Sequence, residues 1–141
     1  MSTTPVTARS VTKTVTIARP AAEVYAFLAD PANWPVWAVV NVKAVEPTDD
    51  PEWWLMATPH GPARLRIRGD AETGLLDHDY VEEMAAWSVP ARVVPNAEGS
   101  EFMITFFQPP SFSDAFFDEQ TALVDIELAT LKQVLEAGPA G

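Results

Sequence analysis

The sequence contains no cysteine. That excludes disulfides, thiolate catalysis and cysteine-ligated zinc or iron–sulfur centres. Glycine is sparse: six are scattered along the chain, and none forms a GxGxxG or GxxxxGK phosphate loop. Basic residues are few. Nine Lys and Arg stand against 20 Asp and Glu, a net charge of −11 with a pI near 4.4. Such a surface opposes nucleic acid, where cations must neutralise phosphates, and it disfavours anionic membranes. No run approaches the ~18 apolar residues of a membrane span, so no membrane insertion is expected. Met1 to Ser10 is polar and lacks the apolar core of a signal peptide, so the expected location is cytoplasmic.

What is present is apolar and aromatic. Hydrophobic residues make up 48% of 141 residues and charged ones 21%, enough for a single domain with a real core. Residues 1 to 10 read as a flexible tail and 11 to 137 as one domain. Thr12 to Ile17 alternates and is β-branched, so it reads as a strand. Pro20 then opens a helix over Ala21 to Ala29, with Val24, Phe27 and Leu28 at helical spacing. Asp30-Pro31 interrupts it, and a second short helix carries Trp34 and Trp37.

From there the chain alternates strands and turns. Strands are expected at Asn41 to Glu46, Trp53 to Thr58, Ala63 to Gly69, Leu75 to Glu82, Trp87 to Val94 and Glu101 to Phe107. The punctuation is Pro59-His60-Gly61-Pro62, Glu72-Thr73-Gly74 and Asn96-Ala97-Glu98-Gly99. Pro90 predicts a bulge. A final helix runs from about Ser113 to Ala137, capped by Ser111 or Ser113 and stopped by Gly138-Pro139. Helices segregated to one side of an antiparallel sheet make an α+β domain with a cleft between sheet and last helix.

This order resembles the START-like, birch-pollen-allergen-like superfamily called SRPBCC, with its helix-grip fold. Thr16-Ile17-Ala18-Arg19-Pro20-Ala21-Ala22-Glu23-Val24-Tyr25-Ala26-Phe27-Leu28-Ala29-Asp30 is similar to the family's opening strand and helix. Asn33-Trp34-Pro35-Val36-Trp37 is similar to its aromatic second helix. Gly99-Ser100-Glu101 through Leu131-Lys132 resembles the last strand and grip helix of the polyketide cyclase/dehydrase-like branch. The resemblance implies about seven curved antiparallel strands on a long C-terminal helix, and an internal cavity for an apolar or aromatic small molecule. Three roles follow from it: a ligand binder, a cyclase, aromatase or dehydratase, and a chaperone co-factor or interaction module. It transfers no universal catalytic motif.

Turn positions set an expected register. It pairs Trp54 with Ile67, Met56 with Leu65, Ile67 with His78, Leu65 with Tyr80, His78 with Ala91, Tyr80 with Val89, Val93 with Phe102 and Ala91 with Ile104. Period-two alternation then sorts the faces. Trp54, Met56, Leu65, Ile67, His78, Tyr80, Val89, Ala91, Phe102, Ile104 and Phe106 face inward. With Trp34, Trp37, Phe117, Val124 and Leu128 they form the expected cavity wall. Arg64, Arg66, Arg68, Asp77, Asp79 and Arg92 face out, either as a solvated charge ladder or as an anion site. Trp53 also faces out, onto arginine stems.

In Leu75-Leu76-Asp77-His78-Asp79-Tyr80, His78 and Tyr80 share the inner face about 7 Å apart. They are the catalytic candidates, as proton-transfer or enolate-stabilising groups. The alternative for both is ordinary packing. His60 sits in a turn ~20 Å from His78, too far to share a metal. No metal site and no cofactor are expected, and the chain is read as a monomer or homodimer.

Overall fold

A computed structural model describes residues 4–83 and 86–138. The first strand, β1 (Ser10–Ile17), leads into helix α1 (Ala21–Leu28), a single 3-10 turn (Pro31–Asn33) and the four-residue helix α2 (Trp34–Trp37). Seven strands follow: β2 (Ala44–Pro47), β3 (Trp54–Thr58), β4 (Gly61–Asp70), β5 (Leu75–Glu82), β6 (Ala86–Val89), β7 (Ala91–Asn96) and β8 (Gly99–Phe107). Helix α3 (Asp114–Ala137) closes the domain. Its start is capped by Ser113, whose hydroxyl accepts from the Phe116 N–H at 3.1 Å. The expected stop at Pro139 lies outside the described residues.

The strands form one antiparallel sheet in the order β1-β8-β7-β5-β4-β3-β2, with β6 paired to β5. This is the helix-grip fold: an open sheet packed on a long C-terminal helix, with two short helices after the first strand. One expected strand is two. Pro90 breaks Trp87 to Val94, so that β6 stays on β5 while β7 follows β8. The missing proline N–H leaves a gap in the ladder, and Asp77 fills it by accepting from the Ala91 N–H at 3.1 Å.

The register matches expectation for Ile67↔His78, Leu65↔Tyr80, Val93↔Phe102 and Ala91↔Ile104. It differs by two residues elsewhere. Trp54 faces Leu65 and Met56 faces Ala63, because the hairpin closes one step earlier, on Thr58↔Gly61. His78 faces Val89 and Tyr80 faces Trp87. The expected turn centre at Met84-Ala85 lies outside the described residues. A two-residue slip preserves every face, so the inward and outward sets survive it.

The core lies between sheet and α3. Ile17, Val24, Leu28, Met56, Leu65 and Leu131 are almost fully buried. Each such side chain contributes ~1.5–3 kcal/mol by leaving water. On α3 the buried stripe runs Phe117, Thr121, Val124, Glu127, Leu128, Leu131 and Leu135. On the outer face Arg64 and Arg66 stack on Trp53 at 4.8 and 4.7 Å, as its outward position predicts. Asp79 departs from the expected exposed ladder. It is only 9% exposed, because Arg66, Arg68 and Ser88 converge on its carboxylate.

Candidate functional site

A cavity of about 130 Å³ lies between the sheet and α3. The chain reaches it from several elements. The segment from α2 onward supplies Trp34, Trp37, Ala38, Asn41 and Val42, and the β3–β4 turn supplies His60. Strands supply Tyr80 and Glu82 from β5, Trp87 and Val89 from β6, and Ile104 and Phe106 from β8. Phe112 and, from α3, Phe117, Gln120, Thr121, Val124 and Glu127 complete the wall.

Local bonds fix the α2 aromatics. The Trp34 indole donates to the Leu28 carbonyl at 2.9 Å, and the Asn33 amide donates to the Phe27 carbonyl at 3.0 Å. Both carbonyls lie at the end of α1, where helical acceptors go unused. Trp37 then packs on Trp34 with ring centres 5.3 Å apart and edge-on to Phe102 at 6.4 Å. Its own indole N–H is buried and has no acceptor among the described residues.

A chain of edge-to-face aromatics borders the cavity. Tyr80 meets Trp87 at 5.1 Å, Trp87 meets Phe112 at 5.4 Å, Phe112 meets Phe116 at 4.6 Å, and Phe116 meets His60 at 5.9 Å. Such pairs add ~0.5–1.5 kcal/mol beyond burial, so this border is a stable wall.

Tyr80 is one of the polar groups on the wall. Its hydroxyl donates to Glu82 Oε2 at 3.3 Å. Burial, and then the Glu82 carboxylate, push the phenol above its ordinary value, so it remains a hydrogen-bond donor. Glu127 reaches in from α3 and is 4% exposed. Its Oε2 accepts from the backbone N–H groups of Val40 and Asn41 at 3.1 and 2.9 Å, and its Oε1 accepts from the Asn41 side chain at 3.1 Å. Burial pushes the Glu127 carboxyl above its ordinary value, and these donors pull the other way.

Half of the expected wall lies on it: Trp34, Trp37, Tyr80, Val89, Ile104, Phe106, Phe117 and Val124. Met56, Leu65, Ala91, Phe102 and Leu128 also point inward, but they are packed into the core beyond the cavity. Trp54 and Ile67 border a separate, more polar depression with Arg66 and Arg68.

His78 requires a correction. It faces inward as expected, but it lies beneath Trp34, edge-on at 5.1 Å, and does not line the cavity. It is 5% exposed, and its Nδ1–H donates to the Leu76 carbonyl at 3.0 Å. Burial holds the imidazole below its ordinary value and hence neutral. The two candidates therefore part: Tyr80 meets the cavity and His78 supports Trp34 from below. His60, expected only in a solvent turn, is the imidazole on the wall. Among the described residues no group of three or more His, Asp or Glu side chains is gathered as a metal site requires. No helix among them is long and apolar enough to cross a membrane.

Glu82, Trp87 and Glu127 were missed by sequence reasoning. Glu127 had a signal: it stands three residues after Val124 and four before Leu131, on the inward stripe of α3. Trp87 had one too, since a two-residue shift places it opposite Tyr80.

Solved structures share this architecture. XoxI from Bacillus cereus superposes with a TM-score of 0.71 at 15% identity, over 89% of this chain and 94% of that one. The di-domain ARO/CYC BexL from the BE-7585A biosynthetic pathway gives 0.71 at 20% identity, over 93% of this chain and 48% of that one. Ara h 8.0201 gives 0.67 at 9% identity, over 92% of this chain and 99% of that one. At these identities the likeness is one of fold. No curated protein gives a match. The sequence itself goes further, because residues 8–136, nearly the whole domain from β1 to the end of α3, match one family profile. The chain belongs to the family described as polyketide cyclase/dehydrase and lipid transport.

Proposed function

We propose that this protein binds a small molecule with an apolar, aromatic body in the cavity between the sheet and α3. The observation that carries this reading is the wall itself. Trp34, Trp37, Trp87, Phe106, Phe112 and Phe117 surround a space that the core does not fill, with a few polar groups, Tyr80 and Glu82 among them. Cavities of that composition, largely pre-formed and sparsely polar, are the usual form of small-molecule sites. The family supports the reading, since its description joins cyclases and lipid transport.

The test uses N-phenyl-1-naphthylamine, a neutral aromatic whose emission rises in an apolar site. Saturable binding is expected, with stabilisation of ~2.7 kcal/mol at a hundred times Kd. Val124→Trp, which fills the cavity from α3, is expected to abolish it. No emission change in the native protein, or full binding by Val124→Trp, overturns the reading.

A second reading, a cyclase or dehydratase, is favoured by Tyr80. Its phenol stays protonated and borders the cavity, and turning its one hydrogen from Glu82 towards the ligand would let it donate to the oxygen of a developing enolate. Turnover of a poly-β-ketone thioester analogue, lost in Tyr80→Phe while the neutral probe still binds, is the expected result. Unchanged turnover in that variant removes Tyr80 from catalysis.

A further inference from the structure

The cavity is unevenly charged. Two carboxylates, Glu82 and Glu127, stand on its wall, and no Lys or Arg does among the described residues. His60, the imidazole on the wall, is packed edge-on against Phe116. Neither carboxylate joins an ion pair among the described residues, where the five pairs involve other groups. Lys43 acts on Glu127 by its charge without pairing with it: it is absent from the wall, and its ammonium donates to the Val39 carbonyl at 2.7 Å. A carboxylate offers about four acceptor positions, and Glu127 fills three with neutral N–H donors. Glu82 receives the Tyr80 hydroxyl. Both carboxylates therefore line one cavity, Glu82 beside the Tyr80 hydroxyl and Glu127 from α3. Of the two only Glu127 is buried, and a cation bound in the cavity would add a counter-charge from the side of the wall that carries none. Around it stand the rings of Trp34, Trp37, Tyr80 and Trp87, a residue class whose π-systems attract cations.

We propose that the cavity selects an organic cation: a protonated amine on an aromatic or alicyclic body, its charge met by the Glu82 and Glu127 carboxylates of the wall. The proposal rests on the cavity-binding reading above. It narrows the ligand class from any apolar small molecule to amines.

The test compares three probes of nearly equal size by calorimetry at pH 7 in physiological salt: 2-phenylethylamine, 2-phenylethanol and 3-phenylpropionate. The amine is expected to bind roughly tenfold or more tighter than the alcohol, and the acid weakest, as a charge-assisted contact predicts. Glu127→Gln and Glu82→Gln should each cut the amine-to-alcohol ratio about threefold or more. Glu98→Gln, an exposed carboxylate on the β7–β8 turn, should leave the ratio as it is. The neutral alcohol reports whether each variant keeps its cavity, so if Glu127→Gln fails to fold, Glu82→Gln carries the test. Equal binding of amine and alcohol overturns the proposal and leaves the cavity reading standing. An equal fall of the ratio in Glu98→Gln also overturns it, since general acidity would then explain the preference. Failure of all three probes and of the naphthylamine overturns both.

Discussion

Asp79→Asn tests the electrostatics of the outer sheet face. Asp79 Oδ2 accepts from Arg66 Nε and Nη2 at 3.0 and 2.7 Å and from Arg68 Nε at 3.0 Å. Its Oδ1 accepts from Arg68 Nη2 at 3.1 Å and from Ser88 Oγ at 2.9 Å. The hydrogen bonds from Arg68, then those from Arg66 and Ser88, hold the carboxyl down at about 2, against the opposing effect of burial. Relative to an unfolded value of about 3.9, that is roughly two pH units, or ~2.5 kcal/mol at 1.36 kcal/mol per unit. The arginines are 34% and 45% exposed, so solvent screening reduces this to ~1–2 kcal/mol. The folded value is depressed, so the stabilisation is complete above the unfolded value. It is lost as pH falls through about 2. Urea unfolding at pH 7 should therefore find Asp79→Asn less stable by ~1–2 kcal/mol, and at pH 3 the gap should shrink by about half. A difference below ~0.5 kcal/mol at pH 7, or a gap constant down to pH 3, refutes the reasoning. Affinity for a cavity ligand should not move, because Asp79 lies on the opposite face; a tenfold loss would contradict the register.

Two further outcomes concern the supports of the cavity. His78→Ala removes the prop under Trp34 and should cost ~2–4 kcal/mol in unfolding, as buried aromatic truncations do. Because burial holds the His78 imidazole below its ordinary value, its contribution is present above about pH 6.5 and lost as pH falls below that. A stability unchanged by the substitution would return His78 to the ligand-contact role its inward position first suggested. Gly74→Ala should destabilise by more than ~1 kcal/mol, since φ is +78° and the new Cβ would stand 2.0 Å from the Val93 carbonyl oxygen. Thermal unfolding of that variant at the native temperature would disprove the clash.

The fold was legible because its signals are periodic and local. β5 runs from Leu75 to Glu82 as its alternation predicts, and α3 starts at the residue after its Ser113 cap. The faces were legible for a subtler reason: each register error was an even one. Trp54 opposite Leu65 instead of Ile67 leaves both on the inner side. What alternation does not carry is depth. It places His78 and Tyr80 on one face, but the packing of Trp34 decides that one is covered and the other meets the cavity. Nor does it show convergence on one group, which is how Asp79 became buried while sitting on a polar face.

Glu127 joins these two levels. A carboxylate on the buried stripe of a helix is a local inconsistency, and such inconsistencies are expected where function overrides packing. Core packing alone would favour Leu or Met at this position, since an apolar group of similar volume avoids the desolvation cost. Instead the chain spends two backbone N–H groups and the Asn41 amide on holding the charge. Those bonds tie α3 to the segment after α2, the helix that carries Trp34 and Trp37 of the wall. The carboxylate that gives the cavity its charge is thus also the bond that holds the wall in place. Glu127→Gln keeps one acceptor for the Val40 and Asn41 N–H groups, whereas Glu127→Leu keeps none. If charge is the functional property, Gln loses amine preference and retains the wall; if the tether alone matters, Gln behaves as the native protein and only Leu fails. The amine-to-alcohol ratio of Glu127→Gln separates the two, while the alcohol measured on both variants shows that Gln keeps the wall and Leu does not.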